Sequence, residues 1–178
     1  MNNKPIKLHL GSGMSPRPGW VNVDCVSQVN PDVVCDLSRT PWPWPDNSVD
    51  EIFSSHLFEH LHILPTMNEC HRILKPGGTL EVVVPYAMSF LQFQDPTHCS
   101  CWVETTPLYF VEDSVYPSYY TDRRFRLIFN RLCGNGSTGR GAVKTWRHSL
   151  RNLIPFRSTL KLVLMGMYDE VHFKLSKP

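Results

Sequence analysis

Apolar positions along the chain fall into short runs separated by turn residues. Ile6–Leu10 (IKLHL) ends in Gly11-Ser12-Gly13, Val21–Asp24 (VNVD) ends in an acid, and Asp32–Leu37 (DVVCDL) carries a second acid near its end. Each has the length and residue types of a strand. Between the first two, Met14 to Trp20 holds Pro16, Pro18 and Gly19 and makes a poor helix. Pro41-Trp42-Pro43-Trp44-Pro45 is a stiff extended loop, anchored by its tryptophans, and Asp46-Asn47-Ser48 a turn. Val49–Ser55 (VDEIFSS) predicts a fourth strand. Thr79–Pro85 (TLEVVVP), dense in β-branched residues, predicts a central strand buried on both faces. Thr66 to Leu74 predicts a helix: Met67, Cys70, Ile73 and Leu74 share one face, Thr66 stands as N-cap with Glu69 three residues on, and Lys75-Pro76-Gly77-Gly78 stops it.

Beyond Pro85 the pattern loosens. Tyr86 to Tyr120 is aromatic and rich in turn residues, more an active-site insertion than another strand–helix unit. Phe125–Phe129 predicts a strand and Gly134–Gly141 a loop. From Ala142 the residues Val143, Trp146, Leu150, Leu153 and Ile154 line one helical face before Pro155, with Lys144, Arg147 and Arg151 opposite. Tyr168–Leu175 alternates like a closing strand. Strands alternating with helix, and glycine at the turns, predict a doubly wound parallel sheet of the α/β class.

At 178 residues, 42% hydrophobic and 19% charged, the chain suits one compact domain, and nothing in it repeats. No run approaches a membrane span and the start has no apolar leader core, which places the protein in the cytoplasm; six scattered cysteines then read as reduced thiols. A net charge of +2 conceals an asymmetry. Residues 1–122 hold 6 Lys/Arg against 14 Asp/Glu, and residues 123–178 hold 12 against 2. No acid occurs from Arg123 to Lys161. This stretch suits a phosphate, a nucleic acid, an anionic membrane surface or the acidic front of its own domain.

In an open parallel sheet, ligands bind outside the carboxyl ends of the strands. Those ends carry Gly11-Ser12-Gly13, Asp24, Asp36 and Ser54-Ser55-His56. Glycines admit a ligand close to the backbone, an acid after the second strand can accept two ribose hydroxyls, and an acid after the third can receive the amino edge of adenine. The set points to a nucleoside.

The chain resembles the class I, Rossmann-like S-adenosylmethionine-dependent methyltransferases, in particular a small branch of predicted methyltransferases. The resemblance is carried by Lys7–Gly13, Gly19–Asp24, Asp36-Leu37, Pro45–Asp50, Ser55–Leu61 and Arg72–Leu80, an ordered set spanning residues 7–85. It implies a three-layer αβα domain with a minimal, mostly parallel sheet, a first crossover shortened to Gly11–Trp20, and an antiparallel closing strand. It also implies one domain over 1–178, with a cofactor-binding half at 1–85 and an acceptor-side insertion, basic helix and closing strands at 86–178. The cofactor would be S-adenosyl-L-methionine. Leu10, Gly11, Ser12 and Gly13 would cradle its methionine part, Asp24 and Cys25 its ribose, Asp36 with the Leu37 backbone its adenine, and Ser55 and His56 the pocket edge. Glu59 and His60 fit the same motif, as residues that orient the following helix.

Methyl transfer needs a positioned nucleophile, and a base only where the acceptor must lose a proton. His98, with Asp95 as its orienter, is the first candidate base and His56 the second; Tyr86, Arg147 and Arg151 are candidates for acceptor contacts. His98-Cys99-Ser100-Cys101 has zinc-ligand residue types but no second ligand pair, so no metal is expected. The expected acceptor is an anionic small molecule or glycan, carrying a hydroxyl or amine. A binding module without turnover and a nucleic-acid-directed methyltransferase are the alternatives. A nicotinamide oxidoreductase is disfavoured, because Gly11–Pro16 lacks the third glycine and the helix that a pyrophosphate uses.

Overall fold

The computed structural model describes residues 4–117, 119–134 and 168–178. The strands are β1 (Lys7–Leu10), β2 (Val21–Asp24), β3 (Val33–Val34), β4 (Val49–Ser55), β5 (Leu74–Pro85), β6 (Arg126–Cys133) and β7 (Glu170–Ser176). They form one sheet in the order β3-β2-β1-β4-β5-β7-β6. The first five pair in parallel, while β7 runs antiparallel to both β5 and β6. The chain steps outward one way from β1 and the other way from β4, so the switch point lies between the carboxyl ends of these two strands.

Helix α1 (Ile63–Ile73) joins β4 to β5, and α2 (Phe90–Gln94) follows β5. The expected α/β class and mixed, mostly parallel sheet are present. Helix α1 differs from expectation at its start: it begins at Ile63, and Thr66 is inside it, donating its backbone N–H to the His62 carbonyl. Pro65 is tolerated because first-turn N–H groups have no partner within the helix. Glu69, expected to complete a capping box, instead anchors a loop. Its carboxylate accepts the Trp42 backbone N–H at 2.7 Å and a two-pronged pair from Arg72 at 2.7 and 2.8 Å. Arg72 also donates to the carbonyls of Trp42 and Trp44 and to Asp46. The Pro-Trp segment is thereby held against α1, with the Trp42 ring buried.

The third strand is two residues long rather than six. β5 begins at Leu74, earlier than expected: Lys75–Gly78 bulges opposite Asp50, whose carboxylate takes the Lys75 ammonium at 2.7 and 2.8 Å. No helix joins β1 to β2, and the Gly11–Trp20 link is fastened by side chains. Asn22, buried on β2, accepts the Arg17 N–H at 2.7 Å and donates to the carbonyls of Arg17 and Trp20 and to Asp32. The Arg17 guanidinium lies 3.6 Å from the centre of the Phe53 ring on β4.

The core lies between the sheet and its coverings. Leu8, Leu10, Ile52, Leu80, Val82, Val84, Val171, Phe173 and Leu175 meet Met67, Cys70 and Ile73 of α1 and the aromatics Phe58, Trp102, Phe110 and Phe125. Trp102 stacks on Phe173 at 5.5 Å. All six cysteines are free. No helix among the described residues is long and apolar enough to cross a membrane. The expected loop at 134–141 and helix at 142–154 lie almost wholly outside the described residues.

Two outcomes are expected. Arg72→Met leaves the Glu69 carboxylate without its cation, at a loss of about 3 kcal/mol, and thermal unfolding should begin roughly 6–12 °C lower; Arg72→Lys, with one point charge for five bonds, should recover only part of this. The second concerns His71, packed edge-on to Phe125 at 5.1 Å. Burial, then the Lys177 and Arg123 charges, lower it from 6.5 to about 4. The folded state therefore binds fewer protons than the unfolded state in that interval. Its stability is complete above pH 6.5 and falls as the pH drops toward 4. Melting curves between pH 7 and 4.5 should show a shallower acid slope in His71→Gln; parallel slopes would refute the assignment.

Candidate functional site

Three strand exits build a cradle. Leaving β1, Gly11 and Ser12 both donate to the Val23 carbonyl of β2, at 2.9 and 3.1 Å. Gly11 turns at φ +67°, and a Cβ there would come within 2.8 Å of the Leu57 Cβ, so the exits of β1 and β4 meet through a glycine. Gly13 turns at φ +48° with open space where its Cβ would point. Its N–H donates to Asp24 Oδ2 at 2.8 Å, and the Val26 N–H to Asp24 Oδ1 at 3.0 Å. Each Asp24 oxygen keeps a second lone pair. Leu10 is buried, and its carbonyl accepts the Ser54 hydroxyl; Ser12 is buried, Cys25 exposed and Ser55 half-buried. Asp36 is exposed and held ionised below the usual carboxylate range by the Ser38 hydroxyl and N–H. The Leu37 carbonyl is taken by the Trp42 indole N–H at 3.1 Å.

The exit of β4 is charged. His56, at φ +55°, has Nε2 3.0 Å from Glu170 Oε1 on β7 and Nδ1 3.4 Å from Glu59 Oε1. The Glu170 carboxylate first, and Glu59 second, raise His56 to about 9. It is an imidazolium at neutral pH and has no lone pair for a proton, so the expectation of His56 as a base is corrected to a fixed cation tying β4 to β7.

His98 and Asp95 are near one another but not paired as expected. His98 Nδ1 meets the Gln92 carbonyl at 2.9 Å and so carries a proton there, with Nε2 4.0 Å from Glu59 Oε1. Asp95 instead accepts the Thr97 hydroxyl at 2.6 Å, and Thr97 Oγ1 lies 2.9 Å from His60 Nδ1. With the Thr97 proton committed to Asp95, His60 Nδ1–H is the donor. Asp95 thus orients His60 through Thr97, while Gln92 orients His98. The two rings meet edge to face at 4.7 Å. Glu59 and His60, read from sequence as helix-orienting residues, lie at the centre of this group. The spacing His56-x-x-Glu59-His60 directly after a strand was the available signal; nothing local announced Glu170 or Thr97.

Tyr86 is buried in the core. A cleft of about 550 Å³ opens beside the start of α1, lined by His62, Ile63, Cys99, Tyr109, Phe110 and Tyr120 among others. Tyr109 contacts Tyr116 and Tyr120 at 4.6 and 6.1 Å between ring centres, and Tyr120 contacts Tyr119 at 4.5 Å. Arg147 and Arg151 lie outside the described residues.

Residues 17–82 match the family model of the methyltransferase domain. A 42-residue segment, 23% of the chain, is 52% identical to malonyl-[acyl-carrier protein] O-methyltransferase 1 of Coxiella burnetii and spans 15% of that protein's length. Among solved structures, the fold is similar to the Haloferax volcanii complex of the Trm112 methyltransferase activator with a methyltransferase, at TM-score 0.61 and 16% identity over 98% of this chain and 83% of that one. It is also similar to an S-adenosylmethionine-dependent methyltransferase from Mesorhizobium loti, at TM-score 0.60 and 12% identity over 98% and 91% of the two chains. A third is Haemonchus contortus phosphoethanolamine N-methyltransferase 2 with phosphomonomethylethanolamine and S-adenosylhomocysteine, at TM-score 0.61 and 14% identity over 100% and 50%. The family model covers residues 17–82, and the solved structures share the fold over nearly the whole chain.

The two glycines of the cradle should separate in the laboratory. Gly11→Ala adds a clash with Leu57 to the left-handed strain of about 1–2 kcal/mol, whereas Gly13→Ala adds the strain alone. Urea unfolding should rank Gly11→Ala clearly the less stable; equal losses would place the close approach elsewhere.

Proposed function

We propose that this chain, with the domain match and fold of the class I S-adenosylmethionine-dependent methyltransferases, transfers a methyl group to a hydroxyl or amine of a small-molecule or glycan-type acceptor. The observation that carries the reading is the bond from the Gly13 N–H to Asp24, which joins the exits of β1 and β2 into one preformed cradle. The residues present fit the cofactor. Gly13 leaves open space beside the backbone, Asp24 keeps lone pairs for two ribose hydroxyls, and Asp36 is an ionised, exposed acceptor for the amino edge of adenine. Leu10, Gly11, Ser12 and Gly13 would hold the methionine part, Cys25 and the Leu37 backbone would flank the nucleoside, and Ser55 and His56 would close the pocket edge.

Bound there, S-adenosylmethionine supplies a methyl group on a cationic sulfur, open to in-line displacement. The protein's part is to hold the acceptor in line, and positioning supplies roughly 7–11 kcal/mol of such a barrier. A hydroxyl acceptor must also lose its proton. Nε2 of His98 and of His60, each with its Nδ1–H tied down, are the basic nitrogens that follow the exit of β4. The tyrosine-lined cleft supports a ring-bearing acceptor, since tyrosines offer an apolar face with a hydroxyl at its edge. The acid-free stretch 123–161, with Arg147 and Arg151, supports an anionic one. Residues 1–85 serve the cofactor in this reading and residues 86–178 the acceptor. Six free cysteines suit a reducing compartment such as the cytoplasm.

Thermal unfolding with S-adenosylmethionine, S-adenosylhomocysteine and NAD tests the cofactor. At about 100 times its dissociation constant an adenosyl ligand adds about 2.7 kcal/mol, a rise of roughly 5–10 °C. The rise should be absent with NAD and largely lost in Asp24→Asn. No rise at millimolar adenosyl ligand would overturn the proposal.

A further inference from the structure

The loop after β4 buries a carboxylate that has an ion-pair contact with His56 but no hydrogen bond within the described fold. Glu59 is 0% exposed, and among the described residues neither of its oxygens has a hydrogen-bond partner. The nearest cation, His56 Nδ1, stands at 3.4 Å as an ion-pair contact, and His56 makes its hydrogen bond to Glu170 instead. A buried, unsatisfied carboxylate costs several kcal/mol unless something compensates it.

Two imidazoles face the same point. One donor atom each from Glu59, His60 and His98 lies within 4.8 Å of the other two. The proton positions on both rings are set from outside: His98 Nδ1–H to the Gln92 carbonyl at 2.9 Å, His60 Nδ1–H to Thr97 Oγ1 at 2.9 Å, and Thr97 on to Asp95 at 2.6 Å. Histidines that ligate metals are commonly fixed in this way, their second nitrogen donating to a carbonyl or a carboxylate relay, which orients the ring and leaves the other lone pair free.

We propose that Glu59, His60 and His98 form a mononuclear site for a divalent first-row transition ion of the zinc class. The donor set, two neutral imidazoles and one carboxylate, is of intermediate hardness and suits Zn²⁺, Co²⁺, Fe²⁺ or Mn²⁺ over the all-oxygen cages of Ca²⁺. Three protein ligands leave open coordination positions, the arrangement of reactive rather than structural sites. At metal–ligand distances of about 2.0–2.2 Å, tetrahedral ligand atoms stand about 3.4 Å apart, so an ion draws the three side chains slightly inward. Glu59 can turn an oxygen toward the ion without stranding His56, which keeps Glu170. The proposed site departs from the expectation of no metal, and it uses neither Cys99 nor Cys101, both exposed. Its role rests on the methyltransferase reading: with Nε2 of His60 and of His98 on the ion they no longer serve as bases, and the ion would instead bind an acceptor hydroxyl oxygen and lower its pKa so that water takes the proton.

The test is equilibrium dialysis and visible spectroscopy of the chelator-stripped full chain with Zn²⁺ and Co²⁺, using Mg²⁺ as contrast. The expected result is one equivalent of Zn²⁺ or Co²⁺, and cobalt d–d absorption without a sulfur charge-transfer band. His60→Asn should weaken binding at least tenfold. Thr97→Val, at an exposed position, should weaken it about 10-fold as the loss of an orienting partner. Failure of the wild type to bind either ion at 100-micromolar concentration, about 5 kcal/mol, would overturn the site. A thiolate band, or binding unchanged in both variants, would do the same. Binding of S-adenosylhomocysteine by the stripped protein is read separately, so loss of the metal site and loss of the methyltransferase reading give different results.

Discussion

Joining parallel strands without helices is the constraint on which this structure turns. A parallel pair needs a return connection along the strand, usually a dozen or more residues folded as a helix. Between β1 and β2 the chain spends only Gly11–Trp20, and between β2 and β3 a single 3₁₀ turn at Ser27–Val29. Backbone groups that a helix would satisfy internally must find side chains. Asn22 and Asp32 do this for the first link, Asp24 for its beginning, and Glu69 with Arg72 for the long loop into β4. Polar side chains replace a layer of secondary structure.

That substitution determines where the site is and how firmly it is held. Asp24 closes the Gly13 turn and caps the Val26 N–H with the same two oxygens that face the cradle. The groups proposed to position a nucleoside are therefore held in place by the fold's own bonds, an arrangement that would reduce the ordering cost of binding. It also makes stability and binding inseparable at this residue, unlike at Asp36, whose partners Ser38 and Arg39 are all local and exposed.

What was legible in the sequence follows from the same physics. β1, β2, β4 and β7 are readable because their alternation or acid-terminated apolar runs reflect burial that each strand experiences by itself. The placement of Gly11, Gly13, Asp24, Asp36 and His56 after successive strands is readable because strand exits gather such residues whatever the loops do. β3 shrank because Cys35–Leu37 keeps one bond to β2, the Cys35 N–H to the Asp24 carbonyl, while the Asp36 and Leu37 carbonyls turn to the Arg39 N–H and the Trp42 indole. The start of α1 was missed because Thr66 and Glu69 imitate a capping box while Glu69 is committed to Trp42, 27 positions away in sequence. Asp95 was matched to His98 by nearness in the chain, yet its carboxylate reaches Thr97 and so His60, 37 positions from Thr97. In each case a long-range partner decided the outcome, and local pattern carries no record of it.

Glu59 shows how one residue can serve fold and chemistry through different atoms. Its backbone carbonyl accepts the N–H groups of Cys99 and Ser100, at 2.8 and 3.0 Å, and so docks the insertion after β5 onto the exit of β4. Its side chain contributes no hydrogen bond to that docking. A fold that needed only the docking could place any buried residue here, and an apolar one would avoid desolvating a carboxylate. The acid persists in a position where His56 already has Glu170 as its stronger partner. The carboxylate is paired with His56 yet makes no hydrogen bond, and in front of it lie two imidazoles, each with its Nδ1–H turned to another partner.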